Sequence, residues 1–197
     1  MEEARGRLGI ATSRSLRRNF QMELFESLQR RRAVRDFTTA PVPEDILKKL
    51  VYAARRAPTV GNAPYRRILL VNNPATIRLV KQVSPGIRGS PAALIIMITD
   101  LDAAKQLGRL GAICSPMDAG AAAENVLLAA VDLGLGACLA KSYSEEGLKE
   151  ILDIPANCRT EIIVQLGYPK KELPPSVKPK ADADAIYLDR YGRTWEA

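Results

Sequence analysis

Four arginines occupy six consecutive positions at Arg30, Arg31, Arg32 and Arg35, directly after a short segment whose Leu24, Phe25 and Leu28 share one helical face. A guanidinium is permanently charged and presents a planar fork of donors that matches phosphate oxygens two at a time, so the cluster is a candidate anion site. Cations at a helix C-terminus also complement the helix dipole and are often solvated, and by itself the run fits that role as well. The chain has no histidine. That removes Ser-His-Asp and Cys-His nucleophiles, every His-containing zinc site and the commonest proton-transfer group near neutral pH. Any reactive chemistry is therefore expected to arrive with a cofactor, which the protein binds, orients and tunes.

The elements that must position the arginines follow from periodicity. After Phe37, the stretch Thr38 to Pro43 reads as an extended connector, and Glu44 to about Ala57 as a helix whose buried stripe is Ile46, Leu47, Leu50, Val51 and Ala54. Pro58 stops that helix and opens a breaker-rich loop to Pro64, which leads into a strand at Ile68 to Val71. Asn73 caps a helix with Pro74 at its first position, running to about Val83. The run Ala92 to Ile98 is a buried strand continuing to Asp100. Leu101 to Pro116 is ambiguous and has room for a short helix. Asp118 to Gly134 is helical and apolar nearly all round, which places it centrally or in a subunit interface. A strand over Ala137 to Ala140, a helix over Glu145 to Leu152 capped by Ser144, and a core strand over Glu161 to Gly167 complete the pattern.

The result is a single α+β domain over residues 22–197, including an irregular tail over 168–197, with residues 1–21 as a detachable extension, either disordered or clasping a neighbour. Met22 would make a natural start. Gly134-Leu135-Gly136 follows a helix and precedes a strand, the reverse of a dinucleotide fingerprint, so a doubly wound fold is excluded. The formal charge of +7 is partly a property of the extension, which holds five arginines against Glu2 and Glu3. With 5% aromatic residues and no zinc-finger spacing, nucleic acid is not expected as a partner. No apolar run is long enough for a membrane span, so no membrane partner is expected either. Cys114, Cys138 and Cys158, without a C-x-x-C pair, suit a reducing, cytoplasmic setting and read as buried apolar residues.

Taken in order, several motifs resemble the nitroreductase family. They are Met22-Glu23-Leu24-Phe25 through Arg31-Arg32-Ala33-Val34-Arg35-Asp36-Phe37, then Pro41-Val42-Pro43, Ala57-Pro58-Thr59-Val60-Gly61-Asn62, Leu133-Gly134-Leu135-Gly136 and Leu166-Gly167-Tyr168-Pro169. The resemblance implies a homodimer with an antiparallel-rich sheet between helices, a tail that crosses to the partner, and one FMN at each of two interface sites. The activity it implies is transfer of electrons from NADH or NADPH, by a ping-pong cycle, to a small electron-poor acceptor such as a nitroaromatic or quinone. Carried onto this chain, Arg31 and Ala33, with Arg32 beside them, fall where the family holds the FMN phosphate and ribityl chain. Arg35 falls at the pyrimidine edge of the flavin. Pro58, Thr59 and Asn62 match a loop that reaches the flavin of the other subunit, Lys141 and Ser142 match backbone lying along the flavin, and Lys178 and Lys180 match a basic pair completing the phosphate site. No side chain is assigned as a catalytic acid or base.

Three positions depart from the family pattern. Ala33 stands where serine is common, Asn62-Ala63-Pro64-Tyr65-Arg66 replaces an Asn-x-Gln-Pro-Trp-like motif, and Lys141-Ser142 replaces paired glycines. Two further readings remain open on these residues. One is other flavin chemistry on the same fold, such as flavin fragmentation or reductive dehalogenation, with a lid at Leu101 to Pro116. The other is passive binding of FMN or another anion without turnover.

Overall fold

The computed structural model describes residues 23–173 and 186–195. Its elements, in chain order, are α1 (Leu24–Arg30), α2 (Glu44–Arg55), β1 (Arg66–Val71), α3 (Pro74–Gln82), β2 (Ala93–Asp100), α4 (Leu101–Lys105), α5 (Arg109–Asp132), β3 (Gly136–Ala140), α6 (Glu145–Leu152) and β4 (Cys158–Gly167). The four strands form one sheet in the order β1-β2-β4-β3, and every neighbouring pair is antiparallel. The expected α+β architecture is therefore observed. The extension at 1–21 and the lysines Lys178 and Lys180 lie outside the described residues.

Strand β2 shows why the sheet is central. Side chains alternate between faces along a strand, and here both faces are buried. Ala93, Ile95 and Met97 pack with α2 and α5, while Leu94, Ile96 and Ile98 pack with α3 and α6. A strand covered on both sides reads as a continuous apolar run, which is how Ala92 to Ile98 looks in the sequence. On α5, small residues at Ala119, Ala122 and Ala123 are buried in the first of these two clusters and let the helix sit close to the sheet.

Helix α5 is longer than its periodicity predicts. It starts at Arg109, so that Pro116 lies inside it, and the segment Leu101 to Pro116 holds α4 and the first two turns of α5. The expected start was Asp118, two residues after Pro116. A proline removes one backbone donor and crowds the carbonyl four residues back, but here both Pro116 and Ala112 lie on the exposed side, where water can serve that carbonyl. Gly111 lets α4 and α5 meet, because a Cβ there would fall 1.9 Å from the Ala104 carbonyl oxygen.

The end of α5 follows its sequence closely. Gly134 takes φ +74°, its N–H bonds the Val131 carbonyl at 3.0 Å, and the Leu135 N–H bonds the Ala130 carbonyl at 2.7 Å. That is the Schellman arrangement, which satisfies the last carbonyls and turns the chain into β3. Asn73 caps α3 as expected, its Oδ1 accepting from the N–H groups of Ala75 and Thr76 at 2.9 and 3.2 Å. Cys138 and Cys158 are buried, but Cys114 is only partly covered.

Helix α1 differs from an ordinary amphipathic helix. Leu24, Phe25 and Leu28 are exposed, Phe25 by 76%, and only Ser27 is buried. A second stripe on α5, formed by Leu110, Ile113 and Met117, is also open, and both faces lie uncovered in the single chain.

Candidate active site at the edge of strand β3

The arginine segment leaves α1 and runs beside β3. Ala33 makes a parallel bridge to Ala137, and the Val34 N–H donates to the Ala137 carbonyl at 2.9 Å. Val34 and Phe37 are buried as anchors, with Ala33 exposed before them and Arg35 and Asp36 exposed between them. The segment then crosses the exit of β4, where Phe37 bridges Pro169 and the Thr38 N–H donates to the Tyr168 carbonyl at 2.9 Å.

Three glycines make this path possible. A Cβ on Gly136 would lie 2.6 Å from a Val34 methyl, and one on Gly167 would lie 3.0 Å from the Phe37 ring. Gly89, at φ +65°, receives the Arg35 carbonyl so closely that a Cβ would sit 2.2 Å from its oxygen. The backbone of residues 33–37 is thus fixed by close approach, while the charged side chains project from it.

The loop between α3 and β2 draws Lys141 and Ser142 to the same rim. The Gly86 N–H donates to the Ser142 carbonyl at 3.0 Å, and Gly89 of the same loop meets Arg35. Gln165, fully buried on β4, holds this loop in place: its Oε1 accepts from the Arg88 N–H at 3.1 Å and its Nε2 donates to the Gly86 carbonyl at 3.4 Å. Gln165 carried no signal in the sequence beyond being a polar residue inside an apolar strand.

The side chains on this rim are differently engaged. Arg31 pairs through Nε with Glu124 of α5 at 3.1 Å, both side chains being substantially exposed. Arg32 donates from Nε to the Arg30 carbonyl at 3.4 Å. Lys141 folds back onto the protein, donating to the Glu161 carbonyl at 2.5 Å and to the Tyr143 hydroxyl at 3.0 Å. Tyr143 in turn donates to the Thr160 carbonyl at 2.8 Å, and burial pushes its hydroxyl pKa up, so it stays a donor across the physiological range. Beneath it, Glu161 is buried and accepts from Thr99 and from Arg159, whose guanidinium also reaches Ser115.

Pro58, Thr59 and Asn62 are built at another corner of the molecule. Asp118 holds their loop: its Oδ2 accepts from the Val60 N–H at 2.8 Å and from the Tyr65 hydroxyl in a short hydrogen bond. Tyr65 is 1% exposed, and burial, then the Asp118 carboxylate, push its pKa up to about 12. Arg66 collects carbonyls at the end of α2, donating to Ala57 at 2.6 Å and Pro58 at 3.0 Å. Gly61 and Asn62 take left-handed backbone at φ +59° and +53°, and Thr59 closes the loop by donating to the Ala63 carbonyl at 3.0 Å. Tyr65 and Arg66, where the family pattern has an aromatic residue, are thus supports of the loop. Asp118 was legible only as a helix residue.

Within one chain the two groups stay apart. Ala33 lies opposite Ala137, which is in register with Leu166 and then Ala93, whereas Arg66 is opposite Thr99, six residues further along β2. At about 3.4 Å per residue this is roughly 20 Å along the strands, with the whole width of the sheet from beyond β3 to β1 besides. The structure brings Arg31, Arg32, Ala33, Arg35, Lys141 and Ser142 to one rim and sets Pro58, Thr59 and Asn62 at the opposite one.

A family model described as the nitroreductase family matches residues 28–94 and 79–168. A protein of Methanothermobacter thermautotrophicus bearing the name NADH dehydrogenase/NAD(P)H nitroreductase is 28% identical over 178 residues, covering 87% of this chain and 89% of the relative. Among solved structures, an FMN-dependent nitroreductase from Clostridium difficile R20291 superposes with a TM-score of 0.73 at 21% identity, over 85% of this chain and 99% of that one. The NADPH:FMN oxidoreductase from Vibrio harveyi, solved with NAD+, gives 0.73 at 21% identity over 85% and 77%. At these identities the superpositions establish the fold, and the family match, which runs from residue 28 to residue 168, establishes descent: the chain belongs to the nitroreductase family.

Proposed function

We propose that the chain is an FMN-dependent oxidoreductase that takes electrons from NADH or NADPH and, after the donor has left, passes them to a small electron-poor acceptor such as a nitroaromatic or quinone. The observation that carries this reading is the rim at β3, where residues 33–37 are pinned by Gly89, Gly136 and Gly167 so that Arg35 stands exposed on it, with Arg31 before the Ala33–Ala137 bridge at one end and Ser142 beyond β3 at the other. The donor set suits a flavin phosphate: cations, free backbone and no histidine or metal-binding cluster among the described residues. When bound, FMN would supply hydride transfer, so the chain itself needs no acid or base.

The residues have separate tasks. Arg31 and Arg32, with the backbone at Ala33, would hold the phosphate and ribityl chain, and Lys178 and Lys180 would add point charges to it. Arg35 would place positive charge at the pyrimidine edge of the ring, which favours its reduced anionic form and raises its potential. Lys141 is tied to Glu161 and Tyr143, so it orients the Ser142 backbone instead of reaching for an acceptor. Thr59 and Asn62 stand roughly 20 Å from this rim along the strands, so they would serve the site of a second copy. The open apolar stripes on α1 and α5 suit the same homodimer.

The test is direct. The purified protein should carry or take up FMN with a flavin absorption band, bleach with NADH or NADPH, recover with an acceptor, and sediment as a dimer. Failure to bind added FMN would end the proposal. The reading of fragmentation or dehalogenation under a lid at Leu101 to Pro116, a segment that holds α4 and the start of α5, is separated by whether the reduced protein exposed to oxygen returns intact FMN. Passive binding is separated by whether donor bleaches the flavin.

A further inference from the structure

Three surface cavities differ in how their charge is balanced. The one beside β1 and α6 contains Arg67, but that guanidinium is paired with Asp100 at 2.9 Å, and Asp153 also lines it. The one behind β3 contains Arg30, paired with Glu26 at 2.9 Å, and Lys171 next to Glu172. The third, about 510 Å³, lies between α3 and the connector after Phe37. It is lined by Arg78 and Lys81 and, among the described residues, by no acidic one.

The two cations stand three positions apart on α3, on neighbouring parts of one helical face, where like charges cost a few tenths of a kcal/mol. Neither makes an ion pair among the described residues. Lys81 is steered by a short hydrogen bond to the Gly89 carbonyl, and the Arg78 side chain makes no hydrogen bond among the described residues. Hydroxyls of Thr39 and Ser90 and the amide of Asn72 share the lining, and Ile77, buried, helps to floor it. The N-terminus of α3 is not the attraction, since Asn73 already takes the N–H groups of Ala75 and Thr76. A fork-shaped cation, a point charge and hydroxyl donors over an apolar floor form a set that recognises a phosphomonoester on a small organic body.

We propose that this cavity binds a phosphomonoester through Arg78 and Lys81. Its position names one source. Gly89 lines the cavity and also seats the Arg35 carbonyl, and Thr38 and Thr39 continue directly from the arginine segment. A phosphate held there is within reach of a nucleotide donor whose nicotinamide end lies over the β3 rim, and NADPH carries such a monoester where NADH does not. A free phosphorylated metabolite offers the same group. The site itself is independent of the flavin reading; only its assignment to the donor rests on that reading.

The experiment uses the full chain loaded with FMN, and calorimetric titration with adenosine 2′-phosphate, glycerol phosphate and adenosine. Both phosphates should bind and adenosine should not, and Arg78→Ala should weaken both by about tenfold or more while Arg78→Lys retains part of the affinity. Arg78 is exposed, so the variant should fold and keep its flavin. A parallel fall of about tenfold in the NADPH-over-NADH ratio of kcat/KM assigns the site to the donor, whereas loss of phosphate binding at an unchanged ratio assigns it to a separate metabolite. Equal affinity of wild type and Arg78→Ala for both phosphates, or no binding by wild type, overturns the proposal. A chain that binds phosphate but never retains flavin would instead refute the oxidoreductase reading alone.

Discussion

The rim at β3 and the loop before β1 both carry polar groups at the surface, yet they are built in opposite ways. At β3 the backbone of residues 33–37 is held by contact with Gly89, Gly136 and Gly167, and the presented side chains contribute little to holding it. Before β1 the loop is held by side chains, with Asp118, Tyr65 and Arg66 supplying the hydrogen bonds that its backbone lacks. A steric device tolerates loss of the charged groups but no added atom. A hydrogen-bonded device tolerates some change of volume but no lost partner.

The largest expected effect is at Gly89. A Gly89→Ala substitution puts a Cβ 2.2 Å from the Arg35 carbonyl oxygen at a φ of +65°, and the overlap with left-handed strain should cost roughly 3 kcal/mol or more in urea denaturation. It should also displace Arg35 and weaken FMN retention. Wild-type stability in this variant would mean that close approach does not hold the segment.

Next comes Asp118→Ala, which strands the buried Tyr65 hydroxyl and the Val60 N–H and should cost about 2 to 3 kcal/mol by the same measurement. Tyr65→Phe with Asp118 intact should cost less, since it removes one donor and leaves the carboxylate its second partner.

The loop should also be the alkaline weak point. Tyr65 has its pKa raised to about 12 in the folded chain against about 10 when unfolded. A raised pKa contributes stability that is complete below pH 10 and is lost as pH climbs from about 10 through 12. Tyr65→Phe should flatten this part of the stability profile between pH 9 and 12, and an unchanged slope would remove Tyr65 from the account.

The smallest effect on stability belongs to Arg31→Ala. Its pair with Glu124 is well exposed and should contribute under about 1 kcal/mol. FMN affinity should nevertheless fall by about tenfold. A variant that loses stability but keeps flavin would invert the contrast between the two regions.

Much of the scaffold could be read from residue order because it depends on local rules. The two-faced burial of β2 shows as an unbroken apolar run, Asn73-Pro74 marks the start of α3, and Gly134 marks the end of α5. The start of α5 was misplaced, because whether Pro116 breaks a helix depends on which side of it faces water. The arginine segment was legible as a charge cluster, but its seat was not. Gly89 and Gly136 matter through contacts with residues 35 and 34, far away in sequence, and nothing local announces them. Asp118, 58 residues from Val60, was hidden for the same reason.

The strand order carries a consequence for how the molecule is made. β4 lies between β2 and β3 although it is the last of the four to be synthesised. A growing chain can close the β1–β2 pair early, but β3 finds no sheet neighbour until residues 158–167 insert beside it, and the seat for the arginines is not complete before then. Assembly of the arginine rim is therefore a late event of biogenesis, and a ribosome stalled short of Cys158 would hold the β1–β2 pair without a complete seat for residues 33–37.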